Sequence, residues 1–115
     1  MTKKTAVISG MLAALSMLVA DAAYAGSSTG LVGVLRAHTN APNIITFSAG
    51  TNVGKPACSV IGDEWALSLS TDGGRAMYSL LLMAKAAGLT VTVIGTSACS
   101  AWADRETPGY IEIAP

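Results

Sequence analysis

The chain has 115 residues, 51% of them hydrophobic and only 12% charged, and its seven basic side chains balance seven acidic ones. That length admits one domain, and neutral charge with dispersed Lys and Arg excludes a nucleic-acid binder that works by displacing counterions from phosphate. A charged share about half the usual roughly 25% leaves solubility to Ser, Thr, Asn and Gly.

Residues 1–25 read as a secretory signal. Lys3 and Lys4 form the positive start, Val7 to Ala20 the apolar stretch, and Ala23-Tyr24-Ala25 a small-x-small cleavage site, so cleavage is expected after Ala25. The apolar run is interrupted by Ser9, Gly10 and Ser16 and stops at Asp21, short of the roughly 20 residues that a membrane span needs. The expected product is therefore residues 26–115, periplasmic or secreted from a bacterium, with no membrane attachment after cleavage. It carries five basic and six acidic side chains.

Leu31 to Arg36 reads as a first strand, bent or bulged at Gly33, and ends at the polar His38-Thr39-Asn40. Ala41-Pro42-Asn43 turns the chain into a second strand, Ile44 to Ser48, which completes a hairpin. Residues 49–56 are a loop by composition. From Glu64 to Ser70 the pattern alternates, with Trp65, Leu67 and Leu69 on the buried face and Ala66, Ser68 and Ser70 on the other. The period then lengthens to that of a helix. Thr71 or Ser70 caps it, Asp72 suits its positive end, Ala76, Leu80, Met83, Ala84 and Ala87 form the core stripe, and Gly88 stops it. Gly73 and Gly74 are poor first-turn residues, which moves the expected start a residue or two later. Thr90 to Ile94 and Tyr110 to Ala114 are the last two strands, with Tyr110 and Glu112 opposite Ile111 and Ile113.

The expected class is thus mainly β with one helix, in the order β-β-β-α-β-β. This is the layout of the OB-fold, a five-stranded Greek-key barrel with a helix at one end; a split αβ sandwich has the same element order. Cys58 and Cys99 are the only cysteines, and an even pair in a small exported chain points to a disulfide. A loop of about 42 residues gives a stabilisation of about 4 kcal/mol on the chain-entropy model. A thiol nucleophile or a metal site lacks the spacing, with no Cys-x-x-Cys and no His next to either sulfur.

Catalytic groups are sparse. His38 is the single histidine, no Gly-x-Ser-x-Gly turn presents a nucleophile, and His38 reads more simply as a solvated turn residue. Asp63-Glu64 and Asp104-x-Glu106 have the makings of a glycosidase acid and base, yet both read as solvated charges at strand ends. No catalytic residue, cofactor or metal ligand is assigned. Trp65 belongs to the core by its strand phase. Trp102 lies in an irregular polar stretch, where its indole either covers the disulfide or stacks on a sugar or partner, and packing is the favoured reading.

The run Ala57-Cys58-Ser59, Trp65-x-x-Ser68-x-Ser70-Thr71 and Ala76-Met77-Tyr78, continued by Gly88-x-x-Val91-x-Val93 and His38-Thr39, resembles the family of small exported bacterial proteins similar to the B subunit of subtilase cytotoxin. The resemblance implies an OB-fold, a binding role without catalysis, a glycan ligand and a ring of five copies. In the cytotoxin B subunit a serine just ahead of the first strand touches the sugar, and the nearest residue here is Thr29. Thr29 and Trp102 are therefore the candidate ligand-binding residues. The alternative expectation is an exported structural or interaction module that binds a protein and no glycan.

Overall fold

The computed structural model describes residues 24–115. Apart from Tyr24 and Ala25, the expected signal segment lies outside the described residues. One antiparallel sheet of five strands carries a single helix, in the order β1 (Ser27–Ala37), β2 (Ile44–Ala49), β3 (Glu64–Ser68), α1 (Asp72–Ala87), β4 (Thr90–Gly95) and β5 (Pro108–Ile113). The expected element order and class are those of the structure.

Across the sheet the strands run β3-β2-β1-β4-β5. β1 is the hub. Its first half, Ser27 to Leu31, pairs with β4, and its second half, Val32 to Ala37, pairs with β2. The strand starts four residues earlier than expected, because Ser27-Ser28-Thr29-Gly30 has no hydrophobic pattern and is held by ladder hydrogen bonds to β4 instead. Within the second half, register shifts between Val32 and Leu35, the bulge expected at Gly33. Ser48 Oγ accepts a hydrogen bond from the Val34 amide there at 3.0 Å, which occupies a donor in the irregular stretch.

The sheet curls until its edge strands approach. Trp65 of β3 forms a parallel bridge with Glu106, just ahead of β5, and the Ala66 amide donates to the Glu106 carbonyl at 3.1 Å. The core lies inside this curl: Phe47, Trp65, Leu67, Leu81, Val91 and Val93 are fully or almost fully buried. Trp65 satisfies its indole N–H on Ser28 Oγ at 3.0 Å, so the largest core side chain leaves no orphan donor. β3 is shorter than its alternation suggests, and Ala66 is buried along with Trp65 and Leu67. Ala66 stands opposite Thr46 of β2, both are completely buried, and His38 bonds the Thr46 hydroxyl.

α1 is capped at Thr71, whose hydroxyl accepts from the Gly74 amide, and ends at Gly88 with φ 65° in the left-handed region. Its buried face is Gly74, Leu81 and Ala84, flanked by Met77 and Tyr78; Met83 and Ala76 from the expected stripe face outward. Apolar residues nearly encircle this helix, so periodicity alone admits several faces. Gly74 decides between them. A Cβ at Gly74 would stand 1.8 Å from the Ser68 carbonyl oxygen, so the glycine lets the first turn rest on the end of β3. The same contact is why the helix starts at Asp72 despite two glycines of low helix propensity.

Cys58 and Cys99 form the expected disulfide, with Cα atoms 6.2 Å apart. It ties the β2–β3 connection to the β4–β5 connection, beside a hydrogen bond from the Val60 amide to the Asp104 carbonyl.

Candidate functional site

The end of β1 and the β4–β5 connection converge on the outer side of β2 and β3. His38, directly after β1, shares a hydrogen bond of 2.9 Å between its Nε2 and Thr46 Oγ1, which orients the ring. Its edge meets the indole of Trp102, with ring centroids 4.7 Å apart and planes inclined by 75°. The Arg105 guanidinium carbon lies 5.2 Å from the indole centroid, within cation–π range. His38 is therefore half-buried and partnered, and differs from the solvated turn residue that its neighbours Thr39 and Asn40 suggest. Trp102, also half-buried, is held by His38 and Arg105.

A chain of charges borders the indole. Arg36 Nη1 contacts Glu64 Oε1 at 2.5 Å, Arg105 Nε contacts Glu64 Oε2 at 2.8 Å, and Arg105 Nη1 contacts Asp104 Oδ1 at 2.6 Å. Burial pushes the Glu64 carboxyl pKa up, but the hydrogen bonds and positive charges of Arg105 and Arg36 outweigh it and hold the pKa below its ordinary value. Glu64 and Arg105 side chains are 13% and 11% exposed, so each arginine is fixed by a shared carboxylate rather than left to sweep through solvent. The reading of Glu64 as a solvated end-of-strand charge is thereby corrected: two guanidiniums supply the contacts that water would have made. The His38–Thr46 pair cannot work as a base and nucleophile, because Thr46 is completely buried and no substrate reaches its hydroxyl.

Between β3, α1 and the β4–β5 connection lies a groove of about 330 Å³, lined among others by Ser68, Thr71, Ser100, Thr107, Met77 and Ala101. Its floor is the junction of β3 and α1, brought together by Gly74. Its wall is the loop after the disulfide, rigidified by Thr107, whose Oγ1 accepts from the Ser100 and Ala101 amides at 3.1 and 3.0 Å. Ala101 lines the groove and the next residue, Trp102, belongs to the indole cluster, so the two features share one short segment.

The second carboxylate of the Asp104-x-Glu106 pair departs furthest from expectation. Glu106 is completely buried, and its oxygens accept from the Gly26 amide at 3.1 and 3.0 Å and from the Ser97 amide at 3.0 Å. It is no solvated charge; backbone N–H groups replace its water. Asp63 is exposed as expected, and its Oδ1 also accepts from the Asn52 amide at 3.0 Å.

Thr29 is exposed on the other half of the sheet, opposite Thr92 of β4, with the two hydroxyls 3.0 Å apart. It lies nine positions before His38, up to about 30 Å along an extended strand. Thr29 thus stands on the half of β1 that pairs with β4, whereas Trp102 has His38 and Arg105 as its neighbours. No group of three or more His, Cys, Asp or Glu able to hold a metal ion occurs among the described residues, and no described helix is long and apolar enough to cross a membrane. Comparison with known proteins finds no matching family model, curated protein or solved structure.

Proposed function

We propose that this chain is an exported, non-enzymatic binding protein built on an OB-fold, similar to the B subunit of subtilase cytotoxin, and that it binds glycan in the groove beside Trp102. The strand order β3-β2-β1-β4-β5, the parallel contact between β3 and the approach to β5, and the helix between β3 and β4 support the barrel. The observation that carries the function is the pairing of a groove with hydroxyl-bearing walls with a pre-positioned indole on the adjoining residue. Sugars present hydroxyls around the edge of a ring and C–H groups on its face, so a hydroxyl-lined cleft next to an aromatic plane meets both surfaces. The groove is near the lower end of the size range for small-ligand sites, which suits one or two sugar rings. Arg36, half exposed at the end of the charge chain and paired with Glu64, is the nearest cation in that chain open to an acidic sugar. Export is supported by the disulfide, which an oxidising compartment maintains.

A glycan array probed with the exported protein tests this reading. Binding that is lost in Trp102→Ala and kept in a folded control is the expected result, and silence on every glycan refutes it. Native mass measurement tests the ring of five implied by the family resemblance.

The second reading, a module that binds protein, draws on the outward face of α1 and the residue after it. Leu82, Met83 and Leu89 are 46%, 51% and 38% exposed there, an apolar surface without a cover among the described residues. Retention of all partner binding in Trp102→Ala, with loss in Met83→Glu, would favour it over the glycan reading.

A further inference from the structure

Glu106 poses a problem of charge. A completely buried carboxylate normally has a cation beside it, because an unpaired charge taken out of water loses more solvation than it regains. Among the described residues no Lys, Arg or His forms an ion pair with Glu106; Arg105, its neighbour in sequence, spends its guanidinium on Glu64 and Asp104. The polar partners that Glu106 does have are amides, and the main one is Gly26, whose nitrogen faces both carboxylate oxygens.

Gly26 is the first buried residue of the described chain, after the exposed Tyr24 and Ala25. Its carbonyl accepts from the Gly95 amide at 2.8 Å, and Ser27 exchanges two hydrogen bonds with Val53, at 2.9 and 2.8 Å. The chain is thus clamped from Gly26 onward. Gly26 has no room for a side chain: a Cβ would fall 2.3 Å from Glu106 Oε1 and 2.4 Å from Asn52 Oδ1. Asn52 is the second anomaly. It is 6% exposed, and neither its Oδ1 nor its Nδ2 has a hydrogen-bond partner. Asn52 Oδ1 is thus a buried acceptor without a donor, next to the space that a Gly26 side chain would occupy.

We infer that the pocket of Asn52 and Glu106, the latter steadied by the Ser97 amide, is a receptor for the α-ammonium of Gly26, generated when the chain is cut between Ala25 and Gly26. The inference rests on the export reading, which places the cut at that bond. Hydrolysis by an export peptidase leaves the hydroxyl of water on the Ala25 carbonyl and hydrogen on the Gly26 nitrogen, which takes a further proton at neutral pH. One amide N–H becomes three ammonium donors. Two of them reach the carboxylate oxygens, now as an ion pair, and the third turns to Asn52 Oδ1. The remaining charged groups of this region point elsewhere: Lys55 Nζ donates to the Gly62 carbonyl at 2.5 Å, and Asp63 holds the Asn52 amide. Processing then does more than release the protein. It supplies the cation that completes the polar centre where β1, β4 and the β2–β3 loop meet.

Intact mass and terminal sequencing of the exported protein identify its first residue. Gly26 is expected, and any other start overturns the proposal at the cleavage step. With Gly26 first, the α-amine is labelled by an acylating reagent from about pH 6 to 10 and quantified by peptide mass. An ammonium paired with a carboxylate titrates above the ordinary range of about 7.7–8.0, and at pH 8 should label at least about tenfold more slowly in the folded protein than in denaturant. Burial without an ion pair shifts the midpoint the other way, so a midpoint at or below the ordinary range overturns the receptor while leaving the cleavage site standing. Glu106→Gln should remove the upward shift. Should that variant fail to fold, Asn52→Ala keeps the carboxylate and should raise the labelling rate about threefold in folded protein; an unchanged rate overturns the part assigned to Asn52.

Discussion

Adjacent glycines at the start of α1 should respond to the same substitution with opposite signs. Both Gly73 and Gly74 are helical, and alanine in a helix interior is favoured over glycine by about 1 kcal/mol. At Gly73 a Cβ meets nothing within 4 Å, so Gly73→Ala should gain most of that, about 0.5–1 kcal/mol. At Gly74 the new Cβ would stand 1.8 Å from the Ser68 carbonyl oxygen and 3.1 Å from Thr71 Oγ1. Ordinary contact needs about 3.4 Å, and the obstacle is backbone, so the helix must move by more than an ångström or β3 must give way. Overpacking of this kind costs about 3 kcal/mol at the upper end of its usual range, which leaves a net loss of about 2 kcal/mol after the propensity gain. Denaturant midpoints of the oxidised protein, followed by circular dichroism, measure both. For a domain of this size the thermal midpoint should fall by roughly 8–16 °C in Gly74→Ala and rise by a few degrees in Gly73→Ala. If Gly74→Ala is as stable as the parent, the close approach of helix and strand is wrong, and so is the floor of the groove.

Reduction, or Cys58→Ser with Cys99→Ser, should lower stability by about 4 kcal/mol, and alkylation under denaturing conditions should find two thiols only after reduction; two free thiols in the untreated protein contradict the bridge. Because the Glu64 carboxyl titrates below its ordinary value in the folded state, its ion pairs contribute stability in full above about pH 4.3, and that contribution is lost as pH falls through the lower folded value. Acid-unfolding curves of the parent and Glu64→Gln should therefore converge at low pH and separate above it; parallel curves would exclude this source. On the proposed glycan reading, Trp102→Ala should weaken glycan retention at least about tenfold while Thr29→Ala leaves it within about twofold, since Thr29 sits between β1 and β4 and Trp102 packs on His38. Equal losses would return Thr29 to the site.

The strands were legible where side chains alternate or cluster by type, as at Ile44 to Phe47 and Val91 to Ile94, and the helix through its cap and its stop. Ser27 to Gly30 escaped notice because its pairing with β4 is made by the backbone, which leaves no mark in side-chain pattern. The helix face is not legible in hydrophobic periodicity, because Gly74 contributes contact by lacking a side chain. His38 and Trp102 were each visible as residues worth weighing, but their meeting depends on how the β4–β5 loop crosses β2 and β3, which spacing along the chain does not encode. The burial of Glu106 is hidden for a different reason: between Arg105 and Thr107 a carboxylate looks solvated, and the partners that replace its water are the amides of Gly26 and Ser97.

The position of β1 at the centre of the sheet has a consequence for how the chain comes together. Synthesis runs from the N-terminus, so the hub strand exists before either neighbour. β2 follows after a short turn, but the edge formed by Ser27 to Leu31 waits for β4, which appears only when most of the chain has been made. A bare strand edge invites pairing with a foreign chain, and a strongly apolar one invites it most. Ser27, Ser28, Thr29 and Gly30 make this waiting edge small and polar. The lack of hydrophobic pattern that hides the first half of β1 from a reader of the sequence also makes it a poor template for the wrong partner during that interval.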